Sequence, residues 1–214
     1  VPKGAVDALD VGCGTGVVTY ELAKFCYSVI GTDKEKEMIE LAQANAPDNC
    51  TFKAAPAESL PFPDTSFDLI TVAQAFHWFD HDKVISEFRR LVRPNGLVVV
   101  FRKRSKEDNK ILADFVWPVV NRYIQLPHLP RVQNDFSKLK DAGFVSCEIV
   151  NVPYEELYTP DEYIGFLRSH SSYNLIPEVQ REAYLQAMRV EMAKHLENGF
   201  VAIQGIVEMW LLHA

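Results

Sequence analysis

Hydrophobic residues along the first hundred positions follow two alternating rhythms. Short apolar runs of strand length are separated by stretches in which apolar residues recur at helical spacing. Ala5–Val11 predicts a first strand, and Val17–Phe25 the helix after it. Tyr27–Asp33 predicts a second strand ending on an acid, followed by a helix over Glu37–Asn45 that Pro47 closes. Thr51–Ala54 reads as a short third strand. Ser66–Ala73 is the fourth, apolar at its centre as a strand covered on both faces should be. A helix over Lys83–Leu91 ends before Arg93-Pro94-Asn95-Gly96, read as a stop and turn into a fifth strand, Leu97–Phe101. Strand and helix alternating with short connections predict a parallel, doubly wound α/β sheet.

The rhythm loosens after Phe101. Lys110–Gln125 predicts an aromatic-rich helix broken at Pro118, and Asp135–Ala142 a helix closed by Gly143. A strand over Phe144–Val152, helices over Pro160–Arg168 and Pro177–Leu196, and a last strand over Phe200–Leu211 complete the reading. The expectation is one domain, with a core of 1–101, 135–152 and 200–214 and cap insertions at 102–134 and 153–199. Ligands of open α/β sheets bind outside the carboxyl ends of the strands, where insertions after strands become caps. The chain begins almost on its first strand, so a further segment is expected upstream.

The composition narrows the function classes. A length of 214 residues with 48% hydrophobic residues supports one sizeable core. A net charge of -7 argues against a general nucleic-acid binder. The basic run Arg102-Lys103-Arg104-Ser105-Lys106 has acidic neighbours in Glu107 and Asp108 and reads as a solvated loop. Cys13, Cys26, Cys50 and Cys147 show no C-x-x-C and no metal-ligand spacing, which predicts reduced thiols in a cytoplasmic protein and no metal. No apolar run approaches the length of a membrane span, and no secretory signal is visible.

The chemistry concentrates where the first strand meets its helix. Val11-Gly12-Cys13-Gly14-Thr15-Gly16 places three glycines at alternate positions between the two elements, a turn that brings backbone close to a nucleotide. Gly12 supplies unusual backbone angles, and Gly14 and Gly16 carry no side chain to block a ligand. Val17 stands where the dinucleotide fingerprint G-x-G-x-x-G has its third glycine, which turns the reading away from NAD. Asp33, at the end of the second strand, suits the paired hydroxyls of an adenosine ribose, its plainer alternative being a helix N-cap. Asp10 either organises the loop amides or faces the cationic end of a cofactor. An acid there fits a pyrophosphate poorly and a sulfonium well.

Leu9–Gly16 resembles the first motif of the class I S-adenosylmethionine-dependent methyltransferases. Ala57–Asp68 is similar to that family's segment joining the third and fourth strands, and Arg93–Leu97 to its turn into the fifth. Ala73–Asp80 resembles the small-molecule branch that includes trans-aconitate methyltransferase, and it departs from the N/D-P-P-Y/F motif of nucleic-acid amino-methyltransferases. The resemblance implies a seven-strand, mostly parallel sheet whose last strand inserts antiparallel beside the fifth. It implies S-adenosyl-L-methionine as cofactor, held by Asp10, Gly12, Gly14, Gly16 and Asp33, with Met38 against the adenine, Ala57 and Glu58 at its amino edge and Gln74 near the methionyl part. The expected acceptor is a small molecule, a carboxylate oxygen being one option, with neither nucleic acid nor membrane as partner. His77 is the candidate general base, its plainer alternative being to shape the pocket floor or cap a helix. His77, Trp78, His170 and Tyr173 are candidate acceptor contacts, with Arg102 and Trp210 behind them. The rival readings are a cofactor-binding regulatory protein without turnover and, less favoured, an NAD-dependent oxidoreductase.

Overall fold

The computed structural model describes residues 6–105, 116–123, 135–169, 173–174 and 176–214. The apolar runs of the first half form β1 (Asp7–Val11), β2 (Ser28–Asp33), β3 (Cys50–Ala54) and β4 (Phe67–Ala73), and the helically spaced stretches form α1 (Val17–Ala23), α2 (Lys36–Gln43) and α3 (His81–Leu91). Then come β5 (Val92–Ser105), α4 (Trp117–Tyr123), β6 (Ser146–Tyr158), α5 (Pro160–Ser169), α6 (Glu178–Met192) and β7 (Val201–His213). The seven strands form one sheet in the order β3-β2-β1-β4-β5-β7-β6. Strands β1 to β5 pair in parallel.

β7 lies beside β5, as the family resemblance implied. The amide of Ala214 donates to the Gly96 carbonyl near the start of β5, while Glu208 pairs with Arg102 towards its far end, so the two strands run antiparallel. The same logic holds for β6: Val145 N–H donates to His213 before the strand begins, and Gln204 donates to Glu155 near its end.

The chain falls into two units. The first comprises 1–102, 132–151 and 208–214, and the second 103–131 and 152–207. In the first, successive strand residues feed opposite faces, as a period of two requires. Leu9, Ile70, Val72, Val98 and Val100 join Val84, Phe88 and Leu91 of α3 in one core. Ala8, Val29 and Leu69 join Ile39 and Ala42 of α2 with Phe52 in another. The second unit has its own core, built on Val119 of α4, Ile164 and Leu167 of α5, Leu185, Met188 and Met192 of α6, and Val201 of β7.

Two expectations change. The Arg93–Gly96 stop and turn is a bulge inside one long strand: Phe67 faces Val92 and Leu69 faces Leu97, so β5 inserts extra residues against β4. Asn95 takes φ 65, and a side chain on Gly96 would stand 2.6 Å from Val92 Cγ2. The bulge aims Arg93 so that Nη1 lies 3.0 Å from Asp7 Oδ2 and 2.7 Å from Asp68 Oδ2, pinning three strand starts together. The helix expected over Asp135–Ala142 contracts to a 3₁₀ turn, Ser137–Leu139. Asp135 accepts the Ser137 amide at 2.9 Å, a side chain-to-backbone bond that competes with helix. The helix expected over Lys110–Gln125 is described only from Val116 to Tyr123, where Pro118 sits in the first turn that tolerates it.

Candidate cofactor and acceptor site

The strand order reverses direction between β1 and β4, because β1 is followed outward by β2 and β3 before the chain crosses to β4. A crevice opens at such a switch point, outside the carboxyl ends of both strands. The glycine loop leaves β1 there, and Gln74 leaves β4.

The loop is held by backbone bonds. Gly12 and Cys13 amides both donate to the Thr32 carbonyl, at 2.8 and 2.9 Å, and the Gly16 amide closes onto Cys13 O at 3.0 Å. Gly12, Gly14 and Gly16 all have positive φ, at 70, 54 and 86. Their surroundings differ, which corrects the sequence reading. A Cβ on Gly12 would stand 2.6 Å from Ala75 Cβ, and one on Gly16 would stand 3.0 Å from Phe52 and 3.2 Å from Ala42. Gly16 therefore makes room for core side chains. Only Gly14 faces open space.

Asp33 braces the loop from β2. Its Oδ2 accepts the Gly14 amide at 3.0 Å, and its Oδ1 accepts the Glu35 amide at 3.0 Å at the start of α2. The N-cap of α2 is Glu35, with no side chain capping the helix, so Asp33 braces the residue before α2 and its carboxylate stays half-exposed. Asp10 lies in register with Thr71 and is only 1% exposed. It accepts hydroxyl bonds from Thr19 at 2.7 Å and Thr71 at 2.9 Å, tying α1 to β4. These bonds go to hydroxyls of α1 and β4 and not to the loop amides. Burial pushes its carboxyl up to about 6 against the pull of both hydroxyls, with Asp33 adding to the rise. Burial likewise pushes the Cys13 thiol well up, so it sits in the loop as an inert thiol.

Met38 of α2 is 38% exposed, and Ala57 is buried. Glu58 Oε1 accepts the Asp80 amide at 2.9 Å, which ties the segment after β3 to the start of α3. Gln74 is exposed and takes φ 55, with its amide donating to Phe101 O at 3.0 Å. A non-glycine residue in that region at a strand end marks a site held in place by its surroundings. The turn it makes sends the chain into a 3₁₀ helix, Phe76–Trp78. His77 there is half-buried, and its ring lies 5.0 Å from that of Trp78, which is 51% exposed. Burial, then the Arg102 cation and His81, hold the His77 imidazole below its ordinary range. Tyr173 lies in the second unit, its ring 5.3 Å from the Arg181 guanidinium and 6.4 Å from Tyr184. His170 lies outside the described residues.

Residues 9–100 match the family model described as a methyltransferase domain. Those residues carry a methyltransferase domain of the class I S-adenosylmethionine-dependent kind. A Dictyostelium discoideum protein named as a methyltransferase is 26% identical over 197 residues, covering 85% of this chain and 73% of its own. An uncharacterised methyltransferase of Mycobacterium tuberculosis is 29% identical over 202 residues, covering 91% and 76%. Among solved structures, a type II methyltransferase from Anaeromyxobacter dehalogenans superposes with a TM-score of 0.71 at 24% identity, covering 100% of this chain and 91% of that one.

The methyltransferase uses S-adenosylmethionine, and the residues present fit it. A ligand rich in donors, with ribose hydroxyls, an adenine amine and an ammonium group, needs acceptors and close backbone. The bare outer side of Gly14, the half-exposed carboxylates of Asp33 and Glu58, and the exposed amide of Gln74 provide both.

Three neighbours of this site escape the sequence reading. His81 is 2% exposed, stacks on Phe76 at 4.1 Å and donates from Nε2 to the Phe76 carbonyl at 3.2 Å. Its signal was the Asp80 N-cap, which starts α3 earlier than Lys83. Glu208 pairs with Arg102, and a lone acid within the apolar run of β7 was its signal. Phe136 lies against Phe76 at 4.9 Å, and nothing in its local sequence marks it. Trp210 is buried in the core, with its Nε1 donating to Glu208.

Proposed function

We propose that this methyltransferase carries a methyl group to an oxygen of a small-molecule acceptor, with His77 taking the proton when that oxygen bears one. Asp33 would hold the ribose hydroxyls, Met38 the adenine ring, Ala57 and Glu58 the adenine amine, and Gln74 the methionyl part. The glycine loop would approach the same ligand through Gly14, with Asp10 tying α1 to β4 behind it. The cofactor supplies an electrophilic methyl on positively charged sulfur. The chain's own residues then orient the acceptor, exclude water and accept a proton.

One observation carries the acceptor reading. His77 sits half-buried directly after the Gln74 turn, next to exposed Trp78, and burial with the Arg102 cation holds its imidazole below the ordinary range. A neutral imidazole beside an aromatic shelf suits a small hydroxyl or phenol, which must lose a proton, whereas a carboxylate needs no base. The net charge of -7 supports the same class over nucleic acid. The four free cysteines support a reducing, cytoplasmic setting. No helix among the described residues is long and apolar enough to cross a membrane.

Methyl-labelled S-adenosylmethionine offered with panels of carboxylic acids, alcohols and phenols tests the proposal. Label should enter an oxygen of one small acceptor, and label entering only protein or nucleic acid would overturn it. With a hydroxyl acceptor, kcat/KM should fall as pH drops through the His77 titration. His77→Gln should remove that limb and about 10²-fold or more of the rate. A profile without the limb assigns the acceptor as a carboxylate and His77 to the pocket wall. Binding without turnover on every panel would leave the regulatory reading.

A further inference from the structure

The cap of α3 is completed from outside the helix. Asp80 is the N-cap residue, and its side chain accepts the Lys83 amide at 3.4 Å. In a capping box the third helical residue, a Glu or Gln, would accept the N-cap amide in return. That position holds Lys83, which can only donate. The acceptor is instead Glu58, 22 positions upstream, whose Oε1 takes the Asp80 amide at 2.9 Å. One amide does not exhaust a carboxylate, whose two oxygens offer about four lone-pair sites.

The residues before Asp80 form a turn that rests on the glycine loop. The Trp78 amide donates to Ala75 O at 2.9 Å, and the Phe79 amide to Phe76 O at 3.1 Å. A Cβ on Gly12 would stand 2.6 Å from Ala75 Cβ and 3.0 Å from Phe79 Cζ, so two side chains of the turn lie directly on the loop backbone. Phe76 turns to the core, where it stacks on His81 and meets Phe136 edge-on. Residues 74–80 thus begin at Gln74, read for the methionyl part, and end bonded to Glu58, read for the adenine amine. Gly12 lies against the stretch between, and His77 and Trp78 ride on it.

We propose that Glu58 is a positioning residue that couples cofactor binding to the turn carrying His77 and Trp78. Its carboxylate accepts the Asp80 amide and, when the cofactor is bound, the adenine amine as well. The second donor fixes the carboxylate, and the carboxylate fixes the end of the turn. Such coupling is reciprocal, so an ordered turn also raises cofactor affinity. The inference rests on the reading that puts the adenine amine at Glu58.

Hydrogen exchange at the Asp80 amide, followed by NMR on the full chain, tests the coupling with two ligands. One is S-adenosylmethionine, and the other its analogue lacking the 6-amino group of the adenine. With each at the same multiple of its Kd, both stabilise the fold equally by mass action, so the core amide of Val98 should be slowed alike. The Asp80 amide should exchange about threefold or more slowly with S-adenosylmethionine than with the analogue. Glu58→Gln keeps an oxygen for the Asp80 amide and replaces the other with an NH2 that cannot accept from the adenine amine. It should lower S-adenosylmethionine affinity in calorimetry and erase the difference between the ligands at Asp80. Equal exchange at Asp80 with both ligands in the unaltered chain overturns the coupling. Unchanged affinity in Glu58→Gln overturns the adenine reading beneath it, so calorimetry and exchange tell the two failures apart. Should Glu58→Gln fail to fold, the two-ligand comparison on the unaltered chain decides alone.

Discussion

Asp10 holds a carboxyl group away from water, between a helix and a strand whose Thr19 and Thr71 hydroxyls bond to it. Folding raises it from 3.8 to about 6, so the folded chain binds its proton more tightly than the unfolded one. Its contribution to stability is therefore complete below the unfolded value and is lost as pH rises through about 6. Asp10→Asn removes this titration. The stability of the unaltered chain relative to Asp10→Asn, from urea unfolding, should fall by about 3 kcal/mol between pH 3.5 and 7.5. A constant difference across that window would show that the group does not titrate there. The glycines give a second contrast. Gly14→Ala should cost only about 1–2 kcal/mol of stability, the strain of a positive φ, yet lower cofactor affinity in calorimetry. Gly16→Ala adds collisions with Phe52 and Ala42 and should cost more stability than Gly14→Ala. The motif was legible from spacing alone, and so was the place of Asp33 at the end of β2, though not its bond to the Gly14 amide. The division of labour among the glycines was not, because Phe52, Ala42 and Ala75 reach the loop from distant positions in the chain.

Between β3 and β4 the chain has no regular structure, and Arg90 of α3 holds it. Its guanidinium donates to the carbonyls of Phe62 at 2.7 Å and Leu60 at 3.0 Å and pairs with Glu87 and Asp64, while Glu87 accepts the Leu60 amide. The same segment carries Ala57 and Glu58. Arg90→Met should cost about 2 kcal/mol, discounted for its partial exposure, because two carbonyls lose a charged donor. Hydrogen exchange should quicken at Leu60 and weaken protection around Glu58, and unchanged exchange there would reject the staple. Elements with an unambiguous rhythm were read within a few residues of their bounds, as β2, α2 and β4 show. Asp135–Ala142 was misread because an aspartate bond to Ser137 outcompetes a helical turn, a choice that periodicity does not register. Arg93–Gly96 was misread because a bulge and a turn use the same residues, and only the β4 register tells them apart.

Across the molecule, β5, β6 and β7 each run from the first unit into the second. Continuous strands transmit unfolding along their own backbone. Met188→Ala, at a fully buried position of the second core, should cost about 2–5 kcal/mol. Native-state hydrogen exchange at Val98 and Val100 should then quicken together with that at Leu185. Quickening confined to α6 would mark the second unit as a separate cooperative block. The parallel half of the sheet was readable from sequence because each strand is followed by its own helix. The second unit was harder, since its core joins α4, α5 and α6 across segments whose sequence carries no shared motif. The sheet also has a border to defend. β6 ends it, and Ile149, Val152 and Leu157 on that strand are exposed at 38%, 43% and 59%. An apolar border of that length invites another chain to add a strand and begin a fibril. Pro153 carries no backbone donor, and Glu148 and Glu155 add acids along the same strand. A proline and acids on the strand that closes the sheet are features that oppose its extension by another chain.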